Sequence, residues 1–224
     1  MNRHWIQKLC KQDFAAAFSD RMAFEKISEN SFGGGKRGNG MKIFVASDIH
    51  GSAFYCRKML AAYEEEQAER MLLLGDILYH GPRNDLPREY APKEVIAMLN
   101  RHKDEIYAVR GNCEAEVDQM VLQFPVLADY CLIPLRKKMI YATHGHVYHA
   151  ENLPPMREGD ILLHGHTHVL KAEEREGFLL LNPGSVSIPK EGNMPTYAIL
   201  ENGWFTIKDF DGNVVKTLRL EEEA

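Results

Sequence analysis

The sequence predicts an α/β fold in which two β-sheets pack face to face with helices on the outside. Two observations lead to this prediction. In the first part of the region 41–224, short β-rich runs alternate with segments that carry apolar residues at helical spacing, as in βαβ units on a largely parallel sheet. The later part is dominated by strands. We therefore expect a single domain over residues 41–224.

The first half of this domain is predicted to contain three strands and three helices. Pro92 suits the first turn of a helix because its ring fixes φ. The strands are expected at Lys42–Ala46, Met71–Leu74 and Ile106–Val109, and the helices at Phe54–Ala68, Pro92–His102 and Glu114–Phe124.

The second half is predicted to contain six strands. The turn at Glu201-Asn202-Gly203 is of the kind that closes a hairpin between the last two. The strands are expected at Leu132–Leu135, Met139–Thr143, Ile161–His164, Phe178–Leu181, Thr196–Leu200 and Trp204–Phe210.

Residues 1–40 differ in texture from the rest of the chain. A mildly amphipathic stretch from Trp5 to about Phe24 precedes the glycine-rich residues 31–40, which form a flexible linker by composition. We interpret 1–40 as an N-terminal extension that is not native to the domain, or as the result of a start assigned too far upstream. A docking or oligomerisation helix is the alternative interpretation.

The composition restricts the class of protein. With 224 residues and 45% hydrophobic composition, the chain can bury one substantial core. Its net charge of −5 gives no broad basic surface, so a nucleic-acid polymer is a weak candidate partner and a small substrate fits better. There is no apolar run of about 18 residues for a membrane helix. The four cysteines form no CxxC pair, which favours reduced thiols and a cytoplasmic protein. The sequence leaves a homo-oligomer open.

Seven polar side chains of metal-binding type follow the predicted strands. In α/β sheets ligands bind beyond the carboxyl ends of the strands, so we expect these side chains to meet at one edge. Imidazole, carboxylate and amide groups without thiolate suit Mn²⁺, Fe²⁺, Zn²⁺ or Ni²⁺. One tetrahedral ion would not use them all, whereas two ions sharing Asp76 would. The candidates are Asp48, His50, Asp76, Asn112, His144, His166 and His168.

Five short motifs resemble, in order and approximate spacing, the signature blocks of the calcineurin-like metallophosphoesterases. The resemblance spans essentially all of residues 41–224. It implies a four-layer α/β/β/α sandwich of two mixed sheets, two divalent ions per chain with Mn²⁺ foremost, and phosphoester hydrolysis. The motifs are Ser47-Asp48-Ile49-His50-Gly51, Leu74-Gly75-Asp76, Arg110-Gly111-Asn112, Thr143-His144-Gly145 and Gly165-His166-Thr167-His168.

The resemblance also implies which residues hold each ion. A hydroxide between the ions, with its pKa lowered by both, is expected to attack phosphorus in line. Donors such as Asn112 would neutralise the phosphoryl oxygens, and we assign catalytic roles to Asp76, Asn112 and His144. One ion would be held by Asp48, His50, Asp76 and His168, and the other by Asp76, Asn112, His144 and His166.

Small phosphodiesters are the expected substrates. Many relatives carry a His directly after the Asn of the third motif, placed to protonate the leaving group, but here that position is Cys113, followed by Glu114 where an Asp is common. The enzyme should therefore favour esters with acidic leaving groups. The residues expected to contact the substrate are Arg83, Asn84, Cys113 and His146.

A catalytically weak, metal-binding scaffold protein on the same fold is the main alternative. The loss of a metal ligand would favour it, and this sequence has lost none. A nuclease would require a basic groove or an added DNA-binding segment. Mononuclear zinc hydrolases do not match the order of the five motifs.

Overall fold

A computed structural model describes residues 41–221, so the predicted extension and linker at 1–40, and residues 222–224, lie outside the described residues. No helix of 41–221 is long and apolar enough to cross a lipid bilayer. The strands of this region are β1 (Ile43–Ala46), β2 (Arg70–Leu73), β3 (Ile106–Ala108), β4 (Tyr130–Leu135), β5 (Lys138–Thr143), β6 (Ile161–Leu163), β7 (Lys171–Arg175), β8 (Phe178–Asn182), β9 (Thr196–Glu201), β10 (Trp204–Asp209) and β11 (Val214–Arg219). The helices are α1 (Ala53–Glu66), α2 (Pro92–Leu99), the 3-10 helix Asn100–His102 and α3 (Glu116–Gln119).

The first sheet has six strands in the order β11-β10-β9-β1-β2-β3. Strands β1, β2 and β3 run parallel, so their carboxyl ends lie at the same edge of the sheet. Strand β9 is antiparallel to β1 and forms a hairpin with β10, in which Trp204 lies opposite Glu201 beside the turn. This sheet is therefore mixed.

The second sheet has five strands in the order β4-β5-β6-β8-β7. Its three central strands β5, β6 and β8 run parallel. The edge strands β4 and β7 are each antiparallel to their neighbours. The predicted fold class of two mixed sheets is thereby confirmed.

Strand β1 takes part in both hydrophobic cores of the domain. Phe44 and Ala46 belong to the core between the first sheet and helices α1 and α2. Ile43 and Val45 belong to the core between the two sheets. This alternation has the period of two that a pleated strand imposes. Because all four residues are buried, the polar residues that follow β1 start from a rigid position.

The two sheets differ in what covers their outer faces. Helices α1 and α2 cover the first sheet through buried residues such as Met59. On the second sheet, Tyr148 of the segment after β5 packs its ring 6.2 Å from that of Tyr141 on β5. Ala150 of the same segment borders a cavity together with Leu180 of β8. Within residues 41–221 this outer layer is irregular rather than helical.

Helix α3 is shorter than the prediction of Glu114–Phe124, since it spans only Glu116–Gln119. Glu114 lies before the helix because its carboxylate accepts hydrogen bonds from the backbone N–H groups of Asp76 and Ile77. A side chain that binds distant backbone groups competes with helix formation at that position. The shortening is therefore a consequence of a tertiary contact.

Strands β7 and β11 were not predicted from the sequence. Strand β7 is composed of Lys, Ala, Glu, Glu and Arg, and β11 is exposed at nearly all of its positions. Both are edge strands. Charged, exposed residues are common at sheet edges because they oppose pairing with other chains, and they hide the apolar alternation that identifies a strand.

Glu66, in the last turn of α1, connects this helix to the first sheet. Its carboxylate accepts hydrogen bonds from Lys42 at 2.8 Å, from Lys208 at 2.6 Å and from the Tyr197 hydroxyl at 3.0 Å. Burial raises the pKa of Glu66, but the hydrogen bonds from Lys208 and Lys42 outweigh burial and lower the pKa. The ionised carboxylate therefore stabilises the folded state.

We expect Glu66→Gln to lower the free energy of unfolding at pH 7 by about 1–2 kcal/mol, because hydrogen bonds to a charged group are lost. Since the pKa of Glu66 is lower in the folded than in the unfolded state, its stabilising effect is full above about pH 4.5 and is lost as the pH falls through the folded-state pKa. Urea unfolding of the wild type and the variant, at pH 7 and at pH 3, measures the difference in the free energy of unfolding at each pH. The exposed Glu65→Gln is the matched control, with an expected change below about 0.5 kcal/mol. An equal effect of Glu66→Gln at both pH values would contradict the prediction.

Candidate metal centre

The seven side chains predicted to bind metal meet at one edge of the two sheets. Parallel strands β1, β2 and β3 of the first sheet and β5 and β6 of the second end there. Each candidate follows the carboxyl end of one of these strands, which is where ligands bind in such sheets. The structure brings together Asp48, His50, Asp76, Asn112, His144, His166 and His168.

One group of ligand atoms is formed by Asp48, His50 and His168, whose atoms lie within 4.8 Å of one another. His50 donates its Nδ1 hydrogen to the carbonyl of Tyr79 at 2.7 Å, and His168 donates its Nδ1 hydrogen to the carbonyl of Ile188 at 2.8 Å. Because a carbonyl only accepts, both Nε2 atoms are left with a free lone pair. These two atoms lie 3.3 Å apart. Two such acceptors side by side require a cation or a proton between them.

A second group is formed by Asp76, His144 and His166, with Asn112 beside it. His144 donates its Nδ1 hydrogen to the carbonyl of Leu74 at 2.6 Å. In the neutral ring its Nε2 atom is therefore a free acceptor, and it lies 3.1 Å from Asn112 Oδ1 and 3.2 Å from His166 Nδ1. Carboxylate, amide oxygen and imidazole nitrogen thus converge on one point.

Asp76 connects the two groups, because it belongs to the second and also forms a third group with His50 of the first and with Cys113. Its Oδ2 lies 3.7 Å from His50 Nε2 of the first group, and its Oδ1 lies 3.5 Å from His144 Nε2 of the second. Each oxygen of the carboxylate therefore faces a different group. This is the arrangement that a carboxylate bridging two ions would have.

The donor set fits two divalent cations. Asp48 Oδ1 is buried and accepts no hydrogen bond, although His168 Nε2 lies 3.2 Å away. A buried carboxylate oxygen without a partner is costly unless a cation neutralises it. His50 and His144 each donate the Nδ1 hydrogen to a carbonyl. A hydrogen bond from the ring nitrogen that does not bind the metal is what orients metal-binding histidines.

The ionisation of the site also suits metal binding. Burial raises the pKa of Asp48, but the imidazoles beside the carboxylate, that of His168 first, outweigh burial and hold the pKa well below its usual value. Burial and the neighbouring His144 lower the pKa of His166 to about 4. Burial lowers the pKa of His144, but the Asp76 carboxylate outweighs it and raises the pKa to about 9. An ion bound here would displace the His144 proton.

Five of the seven candidate ligands have a left-handed backbone conformation. Their φ angles lie between 50° and 64°, at Asp48, His50, Asp76, His166 and His168. Such angles are uncommon for residues other than glycine, and they concentrate at functional sites where the surrounding structure enforces them. The enforcement is visible in the hydrogen bond from His50 N to Asp76 O at 2.9 Å, which joins two of the turns.

Glu114 fixes the position of Asp76. Its buried carboxylate accepts hydrogen bonds from the backbone N–H groups of Asp76 at 2.9 Å, Ile77 at 2.7 Å and Gly111 at 2.5 Å. A Cβ atom at Gly111 would lie 2.6 Å from Asp76 N, so only glycine permits this approach. The sequence showed Glu114 only as a variation of the third motif, and its role depends on contacts that a motif does not display.

The loop after β8 supports Asp48. The hydroxyl groups of Ser185 and Ser187 both donate to the carbonyl of Asp48 at 3.0 Å. The amide of Asn182 donates to the carbonyl of Gly165 at 2.8 Å, in the turn that leads to His166. The loop therefore holds the first and fifth motifs in place.

A cavity of about 370 Å³ opens beside the ligands. Of the predicted substrate contacts, Arg83, Asn84 and Cys113 line it. His146 lines a neighbouring cavity of about 340 Å³ instead, which His166 also borders. The structure therefore places three of the four at the metal cavity, whereas His146 lines the neighbouring cavity, with its ring 5.4 Å from the His144 ring and 6.3 Å from the His166 ring.

Lys190 also lines the metal cavity and was missed in the sequence analysis. Its backbone N–H donates to the carbonyl of His168 at 3.1 Å, which fixes the residue next to a candidate ligand. A single lysine in a polar turn has the same appearance as any surface lysine. The only signal was its place directly after Pro189, at the end of the loop that supports the ligands.

Cys113 is in direct contact with the shared carboxylate. Its backbone N–H donates to Asp76 Oδ1 at 2.9 Å, and its thiol donates to Asp76 Oδ2 at 3.3 Å. Burial raises the pKa of this thiol, and the charge of Asp76 raises it further. The group is thus a protonated thiol and a weak acid.

Comparison with protein families identifies residues 41–203 as a calcineurin-like phosphoesterase superfamily domain. The chain is 47% identical over 162 residues to the phosphodiesterase YfcE of Escherichia coli (strain K12), which covers 72% of this chain and 88% of that protein. It is 26% identical over 194 residues to the probable metallophosphoesterase YsnB of Bacillus subtilis, which covers 80% of this chain and 97% of that protein.

Solved structures show the same fold. A structure of YfcE, described as a phosphoesterase from E. coli, superposes with a TM-score of 0.78 and 42% identity over 81% of this chain and 100% of that chain. Vacuolar protein sorting 29 from Cryptosporidium parvum superposes with a TM-score of 0.51 and 19% identity over 81% of this chain and 100% of that chain, which is a likeness of fold alone. On the matched domain and the 47% identity, the chain belongs to the calcineurin-like phosphoesterase superfamily.

Proposed function

We propose that this protein hydrolyses small phosphodiesters with two bound divalent metal ions. The observation that carries the proposal is the pair of ligand groups that share Asp76. The superfamily is one of phosphoesterases, and the relative YfcE is named a phosphodiesterase, which supports a phosphate ester as the substrate. The small, largely polar cavity supports a compact diester over a polymer.

The side chains of the centre would have separate tasks. Two bound ions would supply a water of lowered pKa to attack phosphorus in line, and they would neutralise charge on the phosphoryl oxygens. Asn112 turns its Oδ1 towards His144 Nε2 at 3.1 Å, while its Nδ2 lies 3.3 Å from Cys113 Sγ. One amide hydrogen is thus donated to Cys113, and because Asn112 lines the cavity, the other would donate to a phosphoryl oxygen of the substrate.

The position directly after Asn112, where many relatives carry a His that protonates the leaving group, carries no strong acid in this sequence. Cys113 occupies that position, and its thiol pKa is raised by burial and by Asp76. Protonation of the leaving group contributes about 10²–10⁴-fold to a rate. We therefore propose that esters with acidic leaving groups, such as aryl esters, are the better substrates.

The proposal also covers the identity of the metal ions. The imidazole and carboxylate donors around Asp76 support Mn²⁺, with Ni²⁺, Zn²⁺ or Fe²⁺ as alternatives, although the Cys113 sulfur also lies within 4.8 Å of the His50 and Asp76 ligand atoms. The cytoplasmic location predicted from the sequence stays a prediction, and a homo-oligomer stays open.

Replacement of Asp76 by Asn tests the shared carboxylate. We expect metal-dependent hydrolysis of bis(p-nitrophenyl) phosphate to fall at least about 100-fold, because even residues that only orient ligands contribute about 10–100-fold. Metal content, measured by mass spectrometry of the purified protein, should fall below two ions per chain. Asp104→Asn, an exposed carboxylate outside the centre, is the matched control. Near-wild-type turnover of the Asp76 variant would refute the two-metal assignment. Two bound ions without hydrolysis of any phosphate ester by the wild type would favour the scaffold interpretation.

Replacement of Cys113 by His tests the absence of a general acid. We expect kcat/KM for alkyl phosphodiesters to rise by about 10-fold or more, while that for aryl diesters changes less than about threefold, because only alkoxide leaving groups need a proton. Cys113→Ala is the control for the loss of the thiol. If Cys113→His changes the two ester classes equally, the general-acid explanation is wrong.

A further inference from the structure

The metal cavity is bordered by two cationic side chains, Arg83 and Lys190, for which residues 41–221 supply no ion-pair partner. We propose that these two side chains bind a second anionic group of the substrate, a terminal phosphate or a carboxylate, in addition to the phosphodiester that is cleaved. The inference rests on the proposed phosphodiesterase function and specifies its substrate class.

The loop that carries Arg83 is held in place by its own hydrogen bonds. Asn84 donates its side-chain amide to the carbonyl of His80 at 2.8 Å, and Gly81 has a φ of 78°. The Asn84 amide is thus committed to shaping the turn. The Arg83 guanidinium is the charged group that this loop contributes to the cavity, and its planar fork suits phosphate or carboxylate.

Lys190 reaches the same cavity from another loop. Its N–H is bound to the carbonyl of His168, and its own carbonyl accepts from the backbone N–H of Asn193 at 3.1 Å and from the Asn193 side chain at 2.8 Å. The backbone is thus fixed on both sides, although the side chain is exposed. A fixed backbone keeps the base of the Lys190 side chain at the rim of the cavity, within reach of a bound anion.

The charge of the cavity exceeds what a simple diester needs. A phosphodiester carries one negative charge, and the ions would neutralise it, since two divalent cations outweigh Asp48 and Asp76. Of the residues that line the cavity, only Asp76 carries a carboxylate, and it belongs to the metal centre. Arg83 and Lys190 then remain without a counter-charge. A second anion on the substrate supplies it.

Some other arginine side chains of the described region lie in ion pairs. Arg57 contacts Glu89 and Glu94, and Arg175 lies 2.6 Å from Glu173. The cavity beyond His166 likewise has both Glu151 and Lys171 in its lining. The metal cavity differs from this second cavity, because its lining carries two cationic side chains and, apart from the candidate ligand Asp76, no carboxylate.

The test compares three p-nitrophenyl phosphodiesters with one leaving group and different second alcohols: ethyl, 2-carboxyethyl and 2-phosphoethyl. With Mn²⁺, we expect kcat/KM to be at least about 10-fold higher for one of the anionic esters than for the ethyl ester. Charge-assisted hydrogen bonds to the second anionic group contribute binding energy of this size. The preferred ester distinguishes phosphate from carboxylate. The preference should fall at high ionic strength because salt screens exposed charges.

Variants connect the preference to the two residues. Arg83→Gln and Lys190→Gln should each lower the ratio of kcat/KM for the anionic ester to that for the ethyl ester by about fivefold or more. Lys216→Gln on the exposed edge strand β11 should leave the ratio unchanged. A ratio near one in the wild type, or a ratio that neither variant alters, would overturn this inference alone. Failure to hydrolyse any of the three esters would overturn the proposed function and this inference with it.

Discussion

His50, His144 and His168 each donate the Nδ1 hydrogen to a backbone carbonyl, and the rest of the centre depends on these three hydrogen bonds. Each bond decides which ring nitrogen keeps a free lone pair and where that lone pair points. The accepting carbonyls lie in loops that follow strands, so the strands determine the tautomers. The carboxylate oxygens of Asp76 and Asp48 then lie 3.5 Å from His144 Nε2 and 3.2 Å from His168 Nε2. A cation between such electron-rich atoms would stabilise this arrangement.

The backbone around these bonds is strained, and the sheets make the strain tolerable. A left-handed conformation at an Asp or a His costs about 1–3 kcal/mol. Five such residues stand within three turns. Both cores meet at β1, so the chain enters the first turn from a strand buried on both faces. Glu114 then ties the second turn to the third motif through three buried hydrogen bonds. Strain of this kind persists only where the surroundings leave no alternative.

The sequence was sufficient for the features that are local or periodic. The apolar runs predicted the central strands, and the polar residues directly after them predicted the place where the candidate ligands meet. The reduced length of α3 was not predictable, because Glu114 turns towards a backbone more than 30 residues away in sequence. Strands β7 and β11 were missed because their exposed charges conceal the alternation. Lys190 was missed because its importance depends on a fold contact with His168.

The hydrogen bond from Lys190 N to the His168 carbonyl uses only backbone atoms. Any side chain except proline at position 190 can keep this bond, so the identity of the residue at the rim is independent of the geometry of the metal ligand. The Arg83 loop is likewise held through its neighbour Asn84 rather than through Arg83 itself. Mutation can therefore exchange the side chains at the rim of the cavity without disturbing the candidate metal ligands beneath them. Proteins with this scaffold can therefore evolve a new substrate specificity while the candidate metal ligands stay unchanged.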